Sequence, residues 1–175
     1  MTNKELNIYI EKYKNGDQEA FNVIYQETYQ SVYYTIYLLT KNTTIIEDFV
    51  QDTYLKVIDK IDSYKIGTNF KAWICTIAHN LSVNGLIQKS KEIPVELSSQ
   101  TEYIFGPAPK NDTRIYKALE ILEGEEKEVY IHLIIEGYSV KETADIMNVN
   151  INRIYYLKKL MEKSLQDYFK NKMIF

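Results

Sequence analysis

From Ser63 to Lys91 the chain has no aspartate or glutamate, while Lys65, Lys71, Lys89 and Lys91 are interleaved with Tyr64, Phe70, Trp73, Asn69, Asn80 and Asn84. These side chains suit an unpaired nucleic-acid strand: ammonium groups attract phosphate, rings stack on bases, and amides bond base edges. The residues just before carry the opposite sign. Glu47, Asp48, Gln51, Asp52 and Asp59 share one side of a helical repeat, an acidic stripe for water or a basic partner. Further on, eight acids stand against two lysines between Leu119 and Val149, a balance of −6, and six bases stand against two acids from Asn150 to Phe175, a balance of +4. Two sign changes along one chain point to several partners, each met by its own face.

Other chemistries have no support in the residues. The two histidines, His79 and His132, are far apart in sequence and lack a cysteine or carboxylate pattern for a metal. Cys75 is the only cysteine, so no disulfide is expected and the thiol reads as a small core filler. There is no glycine-rich phosphate loop, nucleophile elbow or paired-carboxylate cleft pattern. We therefore expect no enzyme, no cofactor and no metal. No apolar run reaches the roughly 18 residues of a membrane span, and no signal peptide is legible, which reads as cytoplasmic. The net charge of −3 excludes coating of nucleic acid by bulk positive charge.

The elements that must position these residues read as helices. At 175 residues with 45% hydrophobic, one domain or two small ones can each bury a core. A first helix is expected over Glu5–Lys14, ending at Asn15-Gly16. A second starts at Asp17 and carries Ala20, Phe21, Ile24, Tyr25, Tyr29, Val32, Tyr33, Ile36 and Leu39 at spacings of three and four. A third is capped by Thr44 with Glu47 in a capping box, and turns Ile45, Ile46, Phe49, Val50, Tyr54, Val57, Ile58 and Ile61 inward. Ser63–Asn69 reads as a loop, and Phe70 to about Ile87 as a helix with Ile74, Ile77, Ala78 and Leu81 inward and an end weakened by Gly85. Residues 91–113 contain all three prolines and read as a linker, in which Tyr103-Ile104-Phe105 is expected to dock on the chain's own surface or else in a partner's cleft. After it, Ile115, Leu119 and Leu122 mark a helix before Gly124, and a further helix runs to Glu136-Gly137. A short helix opened by the box Ser139 and Glu142 follows. A turn at Asn148-Val149-Asn150 then leads to a long helix with Ile154, Leu157, Met161, Leu165 and Tyr168 inward, the pattern of a helix-turn-helix. The fold expected is all-α: two small helical domains, 1–90 and 114–175, joined by a proline-containing linker.

Those residues together resemble a known family. Gly16-Asp17, Ala20-Phe21 and Ile24-Tyr25, then the run from Glu47 to Val57, then Phe70-Lys71-Ala72-Trp73-Ile74 and Ile77-Ala78-His79-Asn80 are similar to the first domain of extracytoplasmic-function (ECF) sigma factors of the bacterial sigma-70 family. Ala118-Leu119, Lys127-Glu128-Val129 and the run from Gly137 to Ala144 are similar to that group's promoter-binding helix-turn-helix. The resemblance implies docking of Asp48, Gln51, Asp52 and Leu55 on the clamp helices of the polymerase β′ subunit. It implies −10 contacts from Tyr64, Lys65, Asn69, Phe70, Lys71, Trp73, Asn80, Asn84 and Lys89, with residues 64–70 forming a pocket for an extruded base. It implies −35 contacts from Ser139, Asn150, Asn152, Arg153, Tyr155, Tyr156, Lys159 and Lys163, with the second domain on the β flap. The implied partners are core RNA polymerase, promoter DNA as duplex and melted strand, and an anti-sigma protein as a further candidate. Where the group carries arginines in its last helix, this chain has Leu157, Leu160 and Glu162, so lysines supply the charge. A sigma-like accessory protein, or a regulator that binds duplex without polymerase, is the alternative reading.

Overall fold

The computed structural model describes residues 1–40, 44–92 and 113–172, and the chain divides into two units, Met1–Ile104 and Phe105–Phe175. The described residues are helices joined by turns, with no strand among them. Most of the linker, including Tyr103-Ile104-Phe105, lies outside the described residues. Both of its edges differ from expectation: the fourth helix continues to Glu92, and the fifth begins at Thr113.

In the first unit α1 spans Asn3–Lys14, α2 Ala20–Thr40, α3 Ile46–Lys60 and α4 Phe70–Glu92, with a single 3₁₀ turn at Ile61–Ser63. A capping box starts α1 two residues before the expected position: Thr2 Oγ1 accepts the Glu5 amide, and the Glu5 carboxylate accepts the Thr2 amide. The Thr2 bonds also hold the Glu5 carboxyl below its usual pKa. A turn through Asp17–Glu19 precedes α2. From Ser31 to Ile36 every residue of α2 is buried, because α1, α3 and α4 all pack against it. A polar pair sits inside this apolar contact: the Thr28 hydroxyl lies 2.9 Å from the Tyr54 hydroxyl and donates to the Ile24 carbonyl at 2.7 Å.

Two expectations for α3 are corrected. Its N-cap is Ile45, without a side-chain cap bond, and Glu47 instead accepts the Tyr29 hydroxyl from α2 at 2.9 Å. Burial, reinforced by that carboxylate, pushes the Tyr29 phenol well above its usual range. Ile58, expected inward, is 44% exposed. It follows the buried Val57 by one residue and so lies about 100° further round the helix, past the edge of the buried stripe.

Glycine at position 85 is explained by packing. A Cβ built there would lie 2.5 Å and 2.7 Å from Cε1 and Cζ of Phe49, so the missing side chain lets α3 lay a ring directly on α4. Gly85→Ala gains about 1 kcal/mol of helix propensity, but overpacking costs roughly 1–3 kcal/mol. We expect net destabilisation of the first unit in urea unfolding. Adding Phe49→Leu should cost less than the sum of the single changes, because the two positions touch.

In the second unit α5 is Thr113–Ile121, α6 is Gly124–Tyr130 continuing into a π turn at Ile131–Ile135, α7 is Val140–Met147 and α8 is Ile151–Lys172. The π turn was not expected; it widens the helix by one residue before Gly137, which has φ 73°. The Ser139 and Glu142 box forms as read. Asn148 closes α7 in the left-handed conformation, and Asn150 Oδ1 accepts the Asn152 amide at the start of α8. Ile154, Leu157 and Met161 are buried, which fixes the inner side of α8.

Candidate nucleic-acid interface

Three surfaces emerge, two on the first unit and one on the second. Asp48, Gln51, Asp52, Leu55 and Asp59 are all exposed on α3, spaced to share the side opposite Phe49, Val50, Thr53, Tyr54 and Val57. Leu55 is 65% exposed in the middle of that acidic face. Asp59 is paired with Lys56 at 2.9 Å, and the bond from Lys56 lowers its pKa.

The second surface is the outer side of α4 and the loop before it. Asn80 and Asn84 are exposed, one turn apart, and Lys71 and Trp73 are partly exposed near the start of the helix. Asn69 Oδ1 accepts the Ala72 amide and so opens α4 as its cap. Two of the aromatic candidates are corrected. Tyr64 is 3% exposed and Phe70 fully buried, with ring centroids 5.0 Å apart in an edge-to-face contact. Trp73 closes this cluster, 5.3 Å from Tyr64 and 5.4 Å from Phe70. A base cannot stack on a ring already covered on its faces by protein. Tyr64 and Phe70 therefore hold the loop, and what the loop offers outward is Lys65, Ile66 and Thr68. The Lys89 side chain lies outside the described residues.

Sequence reasoning missed the residues that shape this loop. Asn3, Asn7 and Lys14 reach across from α1 to its backbone: Lys14 Nζ donates to the Asp62 and Tyr64 carbonyls at 3.1 Å and 2.8 Å. Their sequence signal was faint, since polar residues on an amphipathic helix ordinarily read as its wet side.

The third surface lies on α8. Asn152, Tyr155, Tyr156, Lys159 and Lys163 are exposed and repeat at three and four residues, opposite Ile154, Leu157 and Met161. Two other candidates already serve the fold, since the Ser139 hydroxyl and the Asn150 amide oxygen cap α7 and α8. Arg153 stacks 5.5 Å from the Tyr156 ring centre and forms an ion pair with Glu125 of α6.

A family model described as Sigma-70 region 2 matches residues 24–92, which is α2 to α4 with the loop at 64–69. Curated relatives extend the likeness over both units. The ECF RNA polymerase sigma factor SigX of Bacillus subtilis is 22% identical, covering 78% of this chain and 77% of that protein. SigW of the same organism is 23% identical, covering 90% of this chain and 95% of that protein. The chain thus carries a Sigma-70 region 2 match and is similar to ECF RNA polymerase sigma factors along most of its length. Among solved structures, the sigma factor RpoE of Bartonella quintana, in complex with the anti-sigma factor NepR, is 25% identical with a TM-score of 0.51 over 86% of this chain and 96% of that one. CnrH in complex with the cytosolic domain of CnrY shares the fold, with 19% identity and a TM-score of 0.53 over 94% of this chain and 97% of that one. The matched region holds both the acidic face of α3 and the acid-free face of α4. The loop between them is held by α1, which lies outside the match.

Proposed function

We propose that this chain is a promoter-specificity subunit of bacterial RNA polymerase, acting by binding alone. The carrying observation is that one helical unit presents an exposed acidic face around Leu55 on α3 and, from Ser63 to Lys91 along the loop and α4, a stretch without a single acid. A negatively charged face around an exposed leucine suits a basic protein surface and repels phosphate. The acid-free face of Lys65, Asn69, Lys71, Trp73, Asn80 and Asn84 suits the −10 element as it opens. Residues 1–90 thus carry docking and melting, and 114–175 carry −35 recognition through Asn152, Tyr155, Tyr156, Lys159 and Lys163. A relative of this fold is known in complex with an anti-sigma factor, and we extend that class of partner to this chain.

Run-off transcription with core polymerase on genomic fragments tests docking, melting and selectivity together. Discrete transcripts that need the added protein support the reading; none, from protein that binds core, would leave the accessory role. That second reading has one observation in its favour: in the unbound chain Arg153, the sole arginine of α8, is engaged by Glu125.

Duplex affinity should lie in α8 and depend steeply on salt. Changing Lys159 and Lys163 to glutamine should lower the salt slope by about one unit for each phosphate contact removed. An unchanged slope in fluorescence anisotropy would move the duplex contact to another face.

A further inference from the structure

We propose that Asn7 on α1 is a positioning residue for base selection at the −10 element, holding the loop at 62–69 in a receiving shape before DNA arrives. This rests on the promoter-reading role proposed above. Asn7 is 6% exposed, and its side-chain amide is fully used. Nδ2 donates to the Asn3 carbonyl at 2.7 Å and the Thr68 carbonyl at 3.1 Å. Oδ1 accepts the Gly67 amide at 2.9 Å and, at 3.0 Å, a share of the Tyr64 hydroxyl proton, which the Thr68 carbonyl also faces. Two donors and two acceptor sites are all that an asparagine side chain has. Three of the four bonds go to a loop about sixty residues away in sequence.

The loop is a tight turn. The Thr68 amide and hydroxyl both donate to the Lys65 carbonyl, at 3.2 Å and 2.7 Å, and Gly67 has φ 88°, a conformation glycine takes without steric cost. The Thr68 carbonyl then accepts Asn3 Nδ2 at 2.7 Å and Asn7 Nδ2 at 3.1 Å, and at 2.6 Å shares with Asn7 Oδ1 the single proton of the Tyr64 hydroxyl. Burial keeps the Tyr64 phenol above its ordinary pKa, so it remains a donor. With the backbone committed in this way, Lys65, Ile66 and Thr68 project from a preset turn.

An extruded base has lost its stacking partners, and a receiving surface recovers that loss best when it need not be ordered at the same moment. Asn7 itself touches no base. It acts through the turn. Removing it should let the turn sample other shapes, which costs discrimination between bases more than general attraction to the strand.

The test uses holoenzyme and a promoter fragment that the wild-type protein transcribes in the run-off experiment. Each −10 position is supplied as each of the four bases in fork-junction probes. Asn7→Leu keeps the number and branching of the side-chain heavy atoms and removes all four bonds; Asn3→Ala, at an exposed position, removes one donor to Thr68 and the long acceptor contact of the Phe70 amide, and is the milder variant should Asn7→Leu fail to fold. We expect core binding through α3 to be unchanged and preference at one −10 position to fall by about tenfold or more. Transcription from a template already mismatched across the −10 element should be retained. Wild-type discrimination by a folded variant would overturn the proposal. So would a uniform loss on all four bases that tracks the melting temperature, since that is a stability effect. If wild-type holoenzyme selects no fragment at all, the promoter-reading function has failed instead.

Discussion

Replacing Phe70 by alanine is expected to lower the melting temperature of the first unit by well over ten degrees, and to leave the protein poorly folded at 37 °C. Phe70 is fully buried, between Tyr64 and Trp73 at the point where the loop becomes α4. Truncating a buried phenylalanine removes its transfer free energy and leaves a cavity, together about 3–5 kcal/mol. Domains have only about 5–15 kcal/mol of net stability. Each kcal/mol shifts the midpoint by roughly 4–8 °C in a domain of this size. Thermal unfolding followed by circular dichroism checks this. A shift of only a few degrees would return Phe70 to the surface and restore it as a stacking platform. The same measurement guards every other experiment on the loop, because lost strand opening in a Phe70 or Tyr64 variant would report unfolding.

Reversing Asp48 and Asp52 to lysine is expected to weaken binding to core polymerase by about a hundredfold, roughly 2.8 kcal/mol at 1.4 per decade. Both residues are exposed and share a face of α3 with the strongly exposed Leu55. Like charges brought together across an interface cost several kcal/mol, and their effect falls mostly on the rate of association and its salt dependence. Asp48 also lies in the first turn of α3, where an acid interacts favourably with the helix dipole by about 0.3–1 kcal/mol. Some loss of stability is therefore expected and must be measured beside affinity. Competition against the wild-type chain for core polymerase is the direct assay. Equal competition by the folded double variant would remove α3 from the docking interface.

Helix periodicity carried much of the architecture. The capping box at Ser139 and Glu142, the inner side of α8 and the caps at its start are local features, decided by residues three or four apart, and they stand as read. The Thr2 and Glu5 box was as local and was overlooked. Ile58 shows the limit of periodicity: an apolar type is consistent with an inward face, but only the packing of α2 and α4 sets the edge of that face. Gly85 shows another. Read from sequence it weakens a helix; in the fold it is the gap that receives Phe49.

The candidate site divides in the same way. Sequence alone determined the sign of each surface, since acids and bases cluster along the chain and charged side chains stay in water whatever the fold. It thereby separated the acidic face of α3 from the acid-free stretch of α4 and the basic α8. Tertiary structure alone decided which aromatic residues are available to a base. Tyr64 and Phe70 have the chemistry to stack, but the ends of α1 and α4 enclose them. It also decided that Asn3, Asn7 and Lys14 belong with the loop at 62–69, because their bonds join backbone and side chains 48 to 67 residues apart. No local pattern encodes a contact at that separation; it exists only once the apolar faces of α1, α2 and α4 have packed and brought the polar groups within reach.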